Sequence, residues 1–176
     1  VIEETPSDFQ FLTEEDISPV FGPREKFSHK GTFGHALLIA GSKGKMGAAQ
    51  LAAKACLRSG TGLLTVHVPT KGGNILQTAF PEAMLSFDTH AEHFSSIPDP
   101  GAFTAIGIGP GLGQHMDSAA AFERLLQQKS HPLVIDADAI NMLASNNDLL
   151  SKVPPLTILT PHTWFYNYSN QFNFLT

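Results

Sequence analysis

The segment His35-Ala-Leu-Leu-Ile-Ala40 runs apolar without alternation and stops at Gly41-Ser42. A strand with one wet face alternates polar and apolar residues. A strand without that alternation is buried on both faces, the habit of parallel sheets covered by helices above and below. The next segment agrees. From Gly47 to Ser59 the apolar positions recur at three and four, and Gly60 supplies a helix stop. A buried strand that turns directly into an amphipathic helix is the repeating unit of an α/β domain.

The alternation continues along the chain. Leu63 to Val68 reads as a strand, followed by a Gly-rich turn and a helix near Ile75 to Thr78. Ala83 to Phe87 reads as a short strand, and His90 to Gly101 as a loop rich in Pro, Ser and Asp. Thr104 to Ile108 is a strand, Asp117 to Gln128 an amphipathic helix, and Leu133 to Asp136 a strand. A helix from about Ala139 to Ala144 and a last strand at Leu156 to Leu159 complete the series. Short connections between alternating elements predict a three-layer αβα domain with a mainly parallel sheet.

The flanks differ. Residues 1–26 read as a lead-in or linker, residues 27–162 as the domain, and residues 163–176 as an atypical tail. Within the lead-in, Thr13-Glu14-Glu15-Asp16 has the form of a capping box, and Pro19 limits the helix it opens to about two turns. The tail holds the sole Trp and both Tyr residues and carries no charge. Val1 in place of Met, and the change of character at Thr163, create the expectation of a chain cut at both ends.

Bulk properties exclude several classes of partner. A net charge of −5 offers no general attraction to nucleic acid or an anionic membrane. No window reaches the roughly 18 apolar residues of a membrane span. The single cysteine, Cys56, has no internal disulfide partner; it reads as a small buried hydrophobe and points to a reducing cytoplasm.

In open parallel sheets, ligands bind beyond the carboxyl ends of the strands. Four such ends carry residues suited to that task. Gly41-Ser-Lys-Gly-Lys-Met-Gly47-Ala48 joins a strand to a helix whose first amides suit an anion, although neither its glycine spacing nor its lysine context makes a Walker A loop. Gly107-Ile-Gly109-Pro-Gly111-Leu-Gly113 removes side chains from one side of a turn and is suited to a backbone cradle for phosphate. It lacks the G-x-G-x-x-G spacing of a Rossmann dehydrogenase. Asp136-Ala-Asp138 follows a strand, where Asp138 either caps the next helix or serves a ligand. Thr160-Pro-His162 follows the last strand, where His162 either donates to a ligand or is an exposed loop residue. Lys43 and Lys45 either greet phosphates or remain solvated. His90 and His93 lie three apart without an H-E-x-x-H pattern or a third ligand nearby in sequence, so no metal site is read there.

The series KGTFGHALLIAGSKGKMGAAQLAAKACLRSGTGLLTVHVP, PEAM at Pro81 to Met84, IGIGPGLG at Ile106 to Gly113, VIDADAIN at Val134 to Asn141 and ILTPH at Ile158 to His162 resembles the NAD(P)H-hydrate dehydratase family. The likeness covers about residues 27–162. It implies a ribokinase-like fold and a lyase reaction in which ADP or ATP, with Mg²⁺, drives dehydration of (S)-NAD(P)H-hydrate to NAD(P)H. It further implies that Ala48, Gly111 and His162 contact the hydrated cofactor, supported by Gly47, Gly109, Gly113, Asp136 and Asn141. It implies self-association as well, and the lead-in resembles the join after an epimerase domain in bifunctional proteins.

The likeness breaks after His162. The family continues with Pro-Gly-Glu-Phe and later carries a Lys-Gly element and a Gly-x-Gly-Asp turn with the expected catalytic aspartate. Here Thr163-Trp-Phe-Tyr166 follows, and neither later element is present. The expectations are a domain incomplete at its C-terminus, open apolar surface, and a chain inactive by itself. A non-catalytic dinucleotide-binding module, another ribokinase-like small-molecule kinase and an unstable fragment stand as alternatives.

Overall fold

A computed structural model describes residues 11–128 and 133–162. The lead-in's first ten residues and the aromatic tail lie outside that range. The capping box forms as expected: Asp16 accepts from the Thr13 amide at 2.8 Å, and helix α1 (Glu14–Ile17) gives way to a 3-10 turn at Ser18–Val20 carrying Pro19.

Six parallel strands make one sheet in the order β3-β2-β1-β4-β5-β6. They are β1 (His35–Ile39), β2 (Leu63–Val68), β3 (Met84–Phe87), β4 (Ala105–Ile108), β5 (Leu133–Asp136) and β6 (Ile158–Thr160). The chain starts in the middle, winds outward through β2 and β3, then returns to lay β4 against the other side of β1. Right-handed crossovers in opposite directions place their helices on opposite faces. Helices α2 (Met46–Arg58) and α3 (Gly73–Ala79) therefore cover one face. Helices α4 (Met116–Gln127), α5 (Ala137–Ser145) and α6 (Asn147–Leu150) cover the other.

The core divides accordingly. Leu38 and Ala40 of β1 and Leu64, Val66 and Val68 of β2 pack with Met46, Ala49, Ala53 and Leu76 from α2 and α3. Leu37, Ile39, Ile106, Ile108, Leu133 and Ile135 point the other way and pack with Phe122, Leu126, Ile140 and Leu143. Strand β1 thus feeds both cores, as its unalternating run requires. The first core contains no residue of β4, β5 or β6. On that face Val134 is 40% exposed and Ile158 59% exposed, which is the open apolar surface expected from the sequence.

Where β2 projects Thr65 and His67 toward the second core's side, the loop after β3 closes over them. Asp88 organises this loop. It accepts from the amides of His90 (2.8 Å), Ser95 (2.7 Å) and Ser96 (3.0 Å), and its Oδ2 lies 3.1 Å from His67 Nε2. The Phe94 and His67 rings meet in a T-shaped contact with centroids 6.0 Å apart. Burial alone would raise the Asp88 carboxyl, but the bonds from His67, the His90 amide and Ser95 hold it far below the usual carboxylate range.

Small departures from the sequence reading have local causes. Helix α5 begins at Ala137 rather than Ala139 because the chain turns at once, with Ala137 at φ +46°. The last strand begins at Ile158 because Leu156 sits in a turn at φ +65°. Cys56 is partly rather than fully buried, with Sγ 3.4 Å from Thr61 Oγ1. Among the described residues no helix is long and apolar enough to cross a membrane.

Candidate functional site at the strand switch

Strands β1 and β4 are neighbours, yet the chain leaving β1 climbs to α2 on one face and the chain leaving β4 climbs to α4 on the other. Two turns diverging from adjacent strands open a crevice at the carboxyl edge, the place where open α/β sheets take ligands. The turns are the two glycine-rich segments. All six strands are parallel, so the four motif-bearing strand ends share this edge.

The two turns are bonded into one unit. The Gly41 amide donates to the Pro110 carbonyl at 2.8 Å, Ser42 Oγ donates to the Gly111 carbonyl at 2.7 Å, and the Gly109 amide donates to the Ile39 carbonyl at 3.2 Å. Two glycines are dictated by close approach as well as by backbone shape. At Gly109 (φ +136°) a Cβ would lie 1.8 Å from the Asp136 carbonyl oxygen. At Gly111 (φ +68°) a Cβ would lie 2.8 Å from the Lys45 carbonyl oxygen and 2.9 Å from the Ala48 methyl. Ala48 and Gly111, 63 positions apart in the numbering, therefore meet across the crevice floor.

Asp138 does not cap α5. The cap position is Asp136, whose side chain makes no cap bond there and instead accepts from Thr160 Oγ1 at 2.8 Å. Asp138 reaches across the crevice: its Oδ2 accepts from the Gly113 amide at 2.7 Å and from Lys45 Nζ at 3.2 Å. One carboxylate thereby links the turns after β1, β4 and β5. Gly47 lies exposed in the first turn of α2, where the Ala48 amide donates to the Lys45 carbonyl at 3.1 Å and the helix start directs its positive end to the rim. Asn141 is exposed on α5. His162 is exposed two residues beyond Thr160, which pairs in register with Asp136, so it lies at the same carboxyl edge.

Charge at the rim is set by a group that sequence reading passed over. Glu92 accepts from Lys71 Nζ at 2.7 Å and from Lys43 Nζ at 3.1 Å. Bonds from Lys71 and then Lys43 lower its carboxyl to about 2. Two cations on one carboxylate leave a net positive charge beside the first turn, which suits a phosphorylated ligand. Lys71 and Glu92 carry no local signal, since both act through distant partners. Ser42 was within reach, lying inside the motif itself.

The comparisons with known proteins fall on the same region. The family model described as NAD(P)H-hydrate dehydratase matches residues 36–168. The ADP-dependent (S)-NAD(P)H-hydrate dehydratase of Streptococcus thermophilus is 37% identical over 154 residues, covering 86% of this chain and 54% of that protein. The bifunctional NAD(P)H-hydrate repair enzyme Nnr of Coxiella burnetii is 34% identical over 156 residues, covering 89% of this chain and 30% of that protein. Among solved structures, a ribokinase-like superfamily protein from Enterococcus faecalis matches with a TM-score of 0.77 at 27% identity, covering 94% of this chain and 60% of that one. The ADP/ATP-dependent NAD(P)H-hydrate dehydratase from Bacillus subtilis, co-crystallized with ATP/Mg²⁺, matches with a TM-score of 0.70 at 29% identity, covering 94% and 57%. The chain spans about half the length of these dehydratases and under a third of the bifunctional enzyme.

Proposed function

The chain belongs to the NAD(P)H-hydrate dehydratase family, and from that premise we propose that the crevice between β1 and β4 binds hydrated NADH or NADPH. The observation that carries this reading is the meeting of Ala48 with Gly111 at the floor of the crevice, beneath two turns that present backbone rather than side chains. A pyrophosphate needs close amides and a positive field, and the α2 start with the Lys43–Glu92–Lys71 cluster offers both. His162, at the end of β6, is the proposed donor to the nicotinamide end, with Gly47, Gly109, Gly113, Asp136 and Asn141 shaping the wall.

The relatives' names bring ADP or ATP to this reading as the reactant that drives dehydration, a carbon–oxygen lyase reaction. Mg²⁺ would supply neutralisation of phosphate charge in such a reaction. The rim carboxylates do not fit that ion: Asp138 is taken up by Lys45 and the Gly113 amide, and Asp136 by Thr160. No step through Mg²⁺ or the nucleotide is therefore assigned to these residues. The 176 residues contain no Gly-x-Gly-Asp sequence to supply a base for the C6 hydroxyl. By themselves they act as the part that holds and orients the hydrated dinucleotide.

Titrating the chain with hydrated NADH tests the site. Binding is expected, and Ala48→Leu, which fills the floor beside Gly111, should weaken it more than about tenfold, a loss of roughly 1.4 kcal/mol. Unchanged circular dichroism and thermal midpoint would show that the variant folds. Absence of binding by the parent chain, or equal binding by the variant, overturns the site. Return of reduced-nicotinamide absorbance on adding ADP or ATP with Mg²⁺ overturns the binding-only role.

A further inference from the structure

The loop after β3 and the start of α4 bring together a group of side chains that the crevice does not use. His93, on the loop, and His115 and Asp117, at the start of α4, place ligand atoms within 4.8 Å of one another. The Asp117 Oδ2 atom is 3.1 Å from His93 Nε2 and 3.4 Å from His115 Nδ1. A tetrahedral ion with bonds of about 2.0–2.1 Å sets its ligand atoms roughly 3.3–3.4 Å apart. Both separations are close to that edge length. The sequence alone offered only His90 and His93; the fold supplies the third and fourth groups.

The arrangement is ordered beyond a surface ion pair. The rings of His93 and His115 stack with centroids 3.9 Å apart, and His90 stacks on His93 at 3.6 Å. His90 Nδ1 accepts from the amides of Glu92 and His93, which fixes that ring beneath the loop. The His93 side chain is 15% exposed and so is held by its surroundings, while His115 (52%) and Asp117 (57%) face water. One ring is fixed and one carboxylate is adjacent, while His115 Nδ1, which accepts from the Asp117 amide at 3.2 Å as the cap of α4, would exchange that amide for an arriving ion.

The geometry points to a binding site for a single divalent transition ion of the zinc class, with His93, His115 and Asp117 as its protein ligands and one position left to water. Two imidazoles and one carboxylate are a donor set that suits borderline ions such as Zn²⁺, Co²⁺ and Ni²⁺ far better than Mg²⁺ or Ca²⁺, which take oxygen. The ion would clip the loop that seals β2 to the first turn of α4, two residues beyond Gly113. This assignment is independent of what the crevice binds.

The probe is the metal alone on the untagged 176-residue chain. Equilibrium dialysis against Zn²⁺ should retain one ion per chain, and Co²⁺ should give the intense visible absorption of a four- or five-coordinate site. Zn²⁺ should also raise the thermal midpoint, since it binds the folded chain. His93→Gln should lower Zn²⁺ affinity more than about tenfold, as outer partners of metal sites alone are worth that much. His115→Asn removes a ligand while retaining a good helix cap, so a similar loss with an unchanged fold separates ligation from structure. Retention of no zinc by the parent chain overturns the site, because the cluster is then a histidine–carboxylate pair only. Equal retention by both variants overturns it too, by placing the ion on other histidines.

Discussion

The two halves of the sheet are written in the same code but are packed differently. Strands β1 and β2 are sealed on both faces, by α2 and α3 on one and by helix α4 and the Asp88-centred loop on the other. Strand β5 reads Leu133-Val-Ile, as unalternating as β1, yet only Leu133 and Ile135 find a core; Val134 is left at the surface, and Ile158 of β6 beside it. A run of consecutive apolar residues encodes burial on two sides. The difference teaches that such a run specifies how a strand is to be packed, while the cover itself must come from elements elsewhere in the chain.

That contrast can be broken most forcefully at Asp88. Asp88→Ala strips the partner from buried His67 and from three amides, so it should cost about 3–5 kcal/mol in chemical denaturation and unseal β2. A cost near zero would mean that the loop is not what closes that side. The same residue gives an acid signature. Unfolded, it titrates near 3.8; folded, its carboxyl is held lower, so its contribution is complete above the unfolded value and drains away as pH falls toward the folded one. The thermal midpoint should drop between about pH 5 and about pH 2, and Asp88→Asn should flatten that slope.

A sharper comparison uses one residue type on one sheet face. Val66→Ala, at 0% exposure under α2, should cost about 2–3 kcal/mol, whereas Val134→Ala, 40% exposed, should cost less than about 1. Equal costs would show that β5 is covered in solution. Smallest of all, Ile158→Lys should change stability by no more than about 0.5 kcal/mol while reducing the fluorescence of an apolar-surface dye. A dye signal that ignores the charge would locate the open surface elsewhere.

Much of this was legible in advance, for physical reasons that differ by element. The sequence bounds strands β2 and β5 to the residue because apolar runs meet Gly, Pro or Asp at their ends. The switch-point turns were legible because four glycines in seven residues are seldom needed for a simple bend. For Asp138 the sequence leaves a cap and a ligand role open, because its partners, Gly113 and Lys45, are 25 and 93 residues away. The cluster of His93, His115 and Asp117 was invisible for the same reason: no local period joins a loop to the start of a helix across the sheet edge.

The order of the strands also sets a timetable. Strands β1, β2 and β3 can zip from neighbouring segments, but β4 must find β1 across a long interval, since Ser42 and Gly111 stand 69 residues apart in the chain. Closing that interval carries the largest loop entropy in the β1 to β4 pairing, and non-local parallel pairing is slow to form. The crevice comes into being only when that late pairing is made. If the crevice takes the dinucleotide proposed for it, capture during refolding would lag behind the return of helical signal, and its rate would time the arrival of β4 at the centre of the sheet.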